Sequence, residues 1–584
     1  MKFRKTKIIC TIGPATNTEE MLRQLMQSGM DVARQNFSHG DHASHLETLN
    51  LIKKVREELG KPVAALLDTK GPEIRLKNFK EGKVMLKKGQ SFTLTTREIE
   101  GDEEAVTITY TDLVRDVEVG STILIDDGLI ELTVTELTDT DIICRVVNGG
   151  AVSNHKGVNV PNCSLSMPYI SQKDREDLIF AVENGYDFIA ASFARTAQDI
   201  MDIRKVLAEH GDDQIKIIAK IENRQGVDNI DEIIRVSDGI MVARGDMGVE
   251  IPFEEVPLLQ KLIIRKGYEA GKVVITATQM LDSMIKNPRP TRAEATDVAN
   301  AIYDGTSAIM LSGETAAGQY PIEAVKTMVR IAEKTEASIN YSKKLREQGL
   351  TISPDITNAI SHACCTMAMD LHASAVISVT KSGFTARMLS KYRPESPIVA
   401  CTMDERSRRQ LNLSWGVIPV TIVEESNTDS LFERAVDGAE AAGIVSQGEV
   451  VVLTAGVPLG VSGTTNLVKV HVVGHVLVKG TSINDKIVRG NLCVCSSDEQ
   501  LVRTYKPGDI IVIHNTNNAI MPQLRTASAL VVETEGMDSH AAVVGMSLDI
   551  PVLLGAKNAV QLLKQGAFVT VDGSKGFVYA NKLN

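Results

Sequence analysis

I-K-I-I-A-K-I-E-N, from Ile215 to Asn223, and D-G-I-M-V-A-R-G-D-M-G, from Asp238 to Gly248, each run apolar for a strand's length and then end in charge and glycine. Six other segments repeat the pattern: K-I-I-C-T-I-G-P from Lys7, D-V-A-R-Q-N-F-S-H-G from Asp31, V-A-A-L-L-D-T-K-G-P-E from Val63, D-F-I-A-A-S-F from Asp187, V-V-I-T-A-T-Q-M from Val273 and S-A-I-M-L-S-G-E-T from Ser307. Amphipathic stretches with helical spacing, such as Glu19 to Ser28, Lys173 to Glu183 and Glu255 to Tyr268, lie between most of them. Nearly continuous apolar strands alternating with helices predict a parallel sheet buried on both faces. Eight such units predict an α/β fold of the closed (β/α)8 barrel type, whose active site sits where the strands end. The polar clusters fall at that end.

At 584 residues the chain is long enough for several domains. After the third strand, Lys70 to about Met167 turns into short alternating strands with turns at Glu81-Gly82, Lys88-Gly89 and Asp127-Gly128. That predicts a β lid over residues 70–167, inserted into a barrel formed by 1–69 and 168–342, able to close over the mouth and exclude water. A charged stretch near Tyr341 to Gly349, followed by Ser353-Pro354, reads as the barrel's exit. An α/β unit over 343–473 and a final unit over 474–584 follow.

The net charge of −11 argues against a nucleic-acid surface. The basic start M-K-F-R-K-T-K precedes an apolar stretch too short for a signal peptide, and no run is long enough to span a membrane. A soluble cytoplasmic protein is the expectation. The eight cysteines lack zinc-knuckle spacing and read as reduced thiols.

On a strand, residues two apart share a face, so Lys220 and Glu222 point the same way. The pair reads either as a salt bridge at the barrel mouth or as catalytic machinery. Asp246, on the neighbouring strand, favours the second: with Glu222 it offers the two carboxylates that Mg²⁺ takes from protein when phosphate oxygens and waters complete its shell. Lys220 is then free to neutralise a migrating phosphoryl group. Gly245 and Gly248 let backbone N–H groups approach an anion. Arg34 adds a guanidinium for phosphate, or an ion pair with a mouth carboxylate. Asn36, Ser38, Asp68 and Thr69 supply oxygens with one full negative charge, which suits a monovalent cation, although Asn and Ser also cap helices and turns. Thr278 ends the seventh strand, where its hydroxyl can hold substrate, relay a proton or cap a helix.

The ordered series K-I-I-C-T-I-G-P-A, N-F-S-H-G, L-L-D-T-K-G-P-E-I-R, D-F-I-A-A-S-F, A-K-I-E-N, M-V-A-R-G-D-M-G-V-E-I, T-A-T-Q-M-L-D-S-M, N-P-R-P-T-R-A-E and M-L-S-G-E-T-A-A-G-Q-Y-P resembles the pyruvate kinase family, in the bacterial form with an extra C-terminal domain. The resemblance implies phosphoryl transfer from phosphoenolpyruvate to ADP, giving pyruvate and ATP. It implies Mg²⁺ on Glu222 and Asp246, K⁺ on Asn36, Ser38, Asp68 and Thr69, and transition-state stabilisation by Lys220. Arg34, Gly245, Asp246 and Thr278 would contact phosphoenolpyruvate, with Arg34 and Thr278 also taking part in catalysis. Arg75, Lys156 and the run Asn36, Phe37, Ser38 and His39 match nucleotide-binding positions. Glu73 stands where K⁺-independent members tend to have Lys, and a homotetramer is expected. Gln35 departs from the family's apolar choice, and P-N-C-S-L-S-M-P at the lid's return is looser than its pattern. The rival on the same barrel is a Mg²⁺-dependent lyase or phosphomutase acting on pyruvate enolates.

Thr380, Lys381, Ser382, Gly383, Phe384 and Thr385 follow an apolar strand and precede a helical pattern. They read as a phosphate cradle or as a capped turn. They resemble the effector loop of allosteric members, which implies activation by a phosphorylated sugar or nucleotide, with a second glycine-rich loop from Gly456 to Thr465 completing the pocket. The last unit, with E-T-E-G-M-D-S-H-A-A-V-V-G, resembles the swivelling phosphohistidine domain of phosphoenolpyruvate-utilising enzymes. His540 stands at the position that carries phosphate there. Asp538 would repel a phosphoryl group, so a structural or assembly role is expected.

Overall fold

The computed structural model describes residues 3–347, 355–425, 427–456, 465–474 and 476–580. Eight parallel strands close into a barrel: Lys7–Thr11, Val32–Asn36, Ala64–Asp68, Phe188–Ala191, Lys216–Ile221, Gly239–Ala243, Val273–Ala277 and Ala308–Leu311. Their inward residues form one packed cluster in which Ala64, Ala190, Ala277 and Ala308 alternate with Val32, Ile218, Met241 and Ile275. The opposite faces pack on the surrounding helices. This double burial explains why the strands read as continuous apolar runs. Several helix starts are fixed by reciprocal capping boxes, including Ser171 with Asp174, Thr196 with Asp199 and Thr291 with Glu294.

One device recurs at the amino-terminal rim. The residue just before the second, fourth and sixth strands is Asp31, Asp187 and Asp238, and its carboxylate accepts the N–H of Ile8, Ala65 and Ile217 respectively, at 2.8, 2.9 and 2.9 Å. Before the eighth strand Ser307 does the same for Val274 at 3.2 Å. Each side chain caps the neighbouring strand and staples a pair. The helix Glu405–Leu411 adds arginine to this rim, with Arg409 on Asp187 at 2.9 Å and Arg406 on Asp212 at 2.6 Å.

The lid carries a seven-stranded sheet and a two-stranded one. Gly82, Gly89 and Gly128 turn its chain with φ of 75°, 85° and 83°. Its entry strand Ile74–Arg75 pairs with its exit strand Gly157–Asn159, so both crossings lie side by side.

Contacts divide the chain into two compact units. One holds residues 1–365, 378–424 and 455–466, and so includes the barrel and lid. The other holds 366–377, 425–454 and 467–584. Within the second, an eight-stranded sheet has parallel strands Ile487–Val494, Ile510–Ile513, Ala529–Val532 and Val552–Leu554 at its centre. No helix among the described residues is long and apolar enough to cross a membrane.

Candidate active site

Lys220 is the hub of the barrel mouth. Its Nζ lies 3.0 Å from Asp68 Oδ1, 2.7 Å from Ser192 Oγ and 3.0 Å from Glu222 Oε1. Asp68 Oδ2 accepts from Arg34 Nε at 2.7 Å, and Arg34 Nη1 donates to Thr11 Oγ1 at 2.8 Å. The fourth strand's end supplies Ser192, whose hydroxyl donates to Thr69 O at 2.7 Å. Arg34 therefore makes the ion pair with a mouth carboxylate, on the same Asp68 that Lys220 contacts.

The charges are unevenly balanced. Burial opposes charge on Asp68 and on Lys220, but Arg34 and Lys220 outweigh it at Asp68, which is held below the usual carboxylate range. Asp68 and Glu222 outweigh it at Lys220, which stays protonated. Glu222 goes the other way. Its burial is complete, and desolvation lifts its carboxyl to about 8 despite Lys220, with the charge of Asp246 adding to the rise. Oε2 accepts from the Phe193 N–H at 2.6 Å, whereas Oε1 has no hydrogen-bond partner among the described residues. The contact with Lys220 is close but poorly directed for a hydrogen bond. Such an under-compensated carboxylate, with a second carboxylate acting on it, fits a cation. Among the described residues no set of three His, Cys, Asp or Glu is grouped to hold a metal. A pair that relies on substrate oxygens is the arrangement that suits Mg²⁺.

Gly245 and Asp246 lie in the first turn of the helix Arg244–Glu250, where N–H groups have no helical acceptor. A Cβ on Gly245 would sit 2.7 Å from Thr278 Cγ2, so glycine is needed for Thr278 to approach. Thr278 directly follows the seventh strand with φ of 75°, and Gln279 follows with φ of 55°. Left-handed backbone at a β-branched residue is strained and marks functional sites.

Asn36 and Asp68 are register partners at the ends of adjacent strands. Asn36 Oδ1 accepts the Ser38 N–H at 3.1 Å, and Thr69 Oγ1 accepts the Ser192 N–H at 3.2 Å. The one carboxylate of this set already faces Arg34 and Lys220, so the set offers mainly neutral oxygens, which suit a monovalent ion better than a divalent one. Phe37 is buried and stacks on His45 with ring centroids 3.9 Å apart, so only its backbone is available to a ligand. Ser38 is half-buried and His39 exposed.

At the lid junction Arg75 pairs with Gly157 in the strand register, next to Lys156. Arg75 binds Glu73 at 2.5 Å, and Lys156 binds Asp126 at 2.8 Å. A cavity of about 330 Å³ is lined by Glu73, Asp127, Asn159, Asp246 and Glu250, from both lid and barrel. Burial and the charges of Asp246 and Asp126 raise the Asp127 carboxyl. The buried Gln35 is satisfied, accepting from Tyr186 OH at 2.6 Å and donating to His45 O at 2.9 Å.

Thr380 to Thr385 occupy a separate place. Gly383, with φ of 77°, is the N-cap of the helix Phe384–Lys391 and makes no side-chain cap bond. Thr385 Oγ1 lies 2.7 Å from Thr465 Oγ1. Most of the second glycine-rich loop, 457–464, lies outside the described residues. In the final unit both ring nitrogens of His540 are engaged: Nδ1 with Thr516 Oγ1 at 2.9 Å and Nε2 with Asn518 Oδ1 at 3.1 Å.

Sequence reasoning quoted D-F-I-A-A-S-F without assigning Ser192 or Phe193 a role. Their position just past the fourth strand was the available signal. Phe193, with φ of 54°, turns its N–H onto Glu222, and nothing in its residue type announces that.

The described barrel and α/β segments match two family models, "Pyruvate kinase, barrel domain" over residues 3–325 and "Pyruvate kinase, alpha/beta domain" over 358–471. Residues 505–576 match "PEP-utilising enzyme, mobile domain". A pyruvate kinase of Bacillus licheniformis is 50% identical over 582 residues, covering 99% of each chain. One of Staphylococcus aureus is 46% identical over 584 residues, covering all of both. A crystal structure of a pyruvate kinase from Cryptosporidium parvum superimposes with a TM-score of 0.77 at 40% identity, covering 80% of this chain and 96% of that one.

Proposed function

Because the chain belongs to the pyruvate kinase family of phosphotransferases, we propose that it moves the phosphoryl group of phosphoenolpyruvate to ADP at the mouth built around Lys220. The observation that carries this reading is the fully buried Glu222, with an oxygen lacking a hydrogen-bond partner among the described residues, 3.0 Å from a Lys220 that Asp68 and Ser192 also hold.

Glu222 and Asp246 would hold Mg²⁺, and Asn36, Ser38, Asp68 and Thr69 would hold K⁺. When bound, these ions would supply positive charge against the phosphate oxygens. Lys220 and Arg34 are preorganised by Asp68 and Ser192, so their charges meet the phosphoryl group with little reorganisation. The amides of Gly245 and Asp246 receive an anionic end of phosphoenolpyruvate, and the Thr278 hydroxyl faces the same place to relay the proton that turns enolate into pyruvate. Arg75 and Lys156, carried by paired strands at the lid's neck, take the nucleotide phosphates as the lid closes. Asn36, Ser38, His39 and the backbone of Phe37 line the approach from the barrel side.

A coupled assay tests the reading: pyruvate should appear only when ADP accompanies phosphoenolpyruvate. Release without ADP would instead favour the lyase or mutase chemistry.

The enzyme is further proposed to be a cytoplasmic homotetramer, activated by a phosphorylated sugar or nucleotide at Thr380, Lys381, Ser382, Gly383, Phe384 and Thr385. The helix start at Gly383, preceded by the hydroxyls of Thr380 and Ser382 and followed by that of Thr385, supports the effector site. Replacing Thr380, Ser382 and Thr385 by Ala should remove the shift that sugar phosphates or AMP cause in phosphoenolpyruvate saturation. An unaltered shift would reject this site.

A further inference from the structure

The strained turn that presents Thr278 is held by a side chain from the neighbouring strand's end. Arg244 directs Nε to Ala277 O at 3.2 Å and Nη2 to Thr278 O at 2.7 Å, gripping the two carbonyls that flank the left-handed step. Its remaining nitrogen, Nη1, donates to Asp297 Oδ1 at 2.7 Å and faces Gln260 Oε1 at 3.4 Å. Across the turn, Glu314 Oε1 accepts the Leu281 N–H at 3.0 Å, which fixes the other end.

We propose that Arg244, oriented by Asp297, is a positioning residue for the proposed phosphoryl transfer, acting by holding Thr278 in its left-handed conformation against Gly245. This inference rests on the reading of Thr278 as a group that touches substrate.

Two consecutive non-glycine residues with positive φ are strained and persist only where their surroundings over-determine them. Arg244 supplies that constraint. A guanidinium presents its donors spread over a fixed plane, so it serves two successive carbonyls and a carboxylate in one rigid orientation, which the single rotatable nitrogen of an ammonium does not impose. Asp297 lies on the helix Arg292–Asp304, so the turn is referenced to a rigid element rather than to a loop. The run Arg244, Gly245, Asp246 then divides three tasks among consecutive residues: the clamp, the space for Thr278, and the metal carboxylate.

The test is a double-mutant cycle on kcat/KM for phosphoenolpyruvate. Arg244→Met should lower it about 10- to 100-fold, as small misplacements of a reacting group do. In a Thr278→Ala background the same substitution should add less than about twofold, the signature of two residues acting through one contact. Arg244→Lys should recover only part of the loss. A full additional loss in that background, or no loss from Arg244→Met alone, would overturn the inference while leaving the Thr278 assignment standing. A silent Thr278→Ala would instead remove that assignment and the inference with it. Should Arg244→Met fail to fold, Asp297→Asn in the same two backgrounds runs the cycle with a smaller first loss and the same criterion.

Discussion

The two ends of the barrel are built from the same side chains and behave oppositely. At the amino-terminal rim, Asp31, Asp187 and Asp238 each take a strand N–H, and arginines close around them: Arg4 on Asp31, Arg56 and Arg409 on Asp187, Arg204 on Asp238. At Asp238 burial opposes ionisation, but Arg204, Lys216 and the Ile217 N–H prevail and hold its carboxyl low. At the mouth Asp68 is likewise satisfied, yet Glu222 keeps an oxygen without a hydrogen bond and a carboxyl raised to about 8. A buried charge with every lone pair used stabilises the fold. A buried charge left partly unmet is held ready for something else to complete it.

The sharpest way to break that contrast is Lys220→Met. The charge it removes is needed most while the phosphoryl group is in flight, so kcat should fall roughly 10³-fold or more with KM for phosphoenolpyruvate little changed. Steady-state kinetics on the folded variant decide it, and an unchanged kcat would put the chemistry elsewhere.

Next in size is the dependence on K⁺. Activity should drop severely when K⁺ is replaced by an organic cation, and Glu73→Lys should relax the requirement. Because Glu73 also grips Arg75, the same substitution should raise KM for ADP. Full activity without K⁺ in the unaltered enzyme would refute the assignment of Asn36, Ser38, Asp68 and Thr69.

At the rim, Asp238→Asn should leave kcat within about twofold but cost about 1–3 kcal/mol of stability, read as a lower Tm. The sign with pH follows from the depressed carboxyl. Its contribution is full above the unfolded value of about 3.9 and is lost as pH falls through the lower folded value, so the two proteins should converge in acid.

The smallest effect is expected from His540→Ala, which should retain most activity, since direct transfer at the mouth needs no phosphoenzyme. Mass spectrometry showing a stoichiometric phosphoryl adduct on His540, lost in the variant together with turnover, would shift catalysis partly out of the barrel.

Much of this was legible in the chain. Eight apolar runs give the barrel because strands buried on both faces have no alternation to hide, and Lys220 with Glu222 gives the mouth because i and i+2 share a face. Other features depend on contacts that residue type does not encode. Thr278 reads as a possible cap until its φ of 75° is seen, and Arg244, given no role in the sequence, shows one only when its donors are traced to backbone carbonyls. Phe37, expected among the nucleotide-binding residues, turns its ring into the core, where it packs against His45 and Phe180.

The stapled strand pairs also bear on how the chain folds. Three staples span short loops, with 23, 21 and 33 residues between the partners Ile8 and Asp31, Ile217 and Asp238, and Val274 and Ser307. The fourth, Ala65 to Asp187, spans 122, because the lid is threaded through it. Closing that loop costs about 1.5 kcal/mol more than closing the 23-residue one, by the logarithmic dependence on length. On a ribosome the second quarter of the barrel must wait for the whole lid to emerge, whereas the others can close as soon as their own helix is made. A lid that collapses early and brings its paired entry and exit strands together would shorten the effective loop to the few residues outside it. The β insertion would then act as a folding chaperone for the barrel it interrupts.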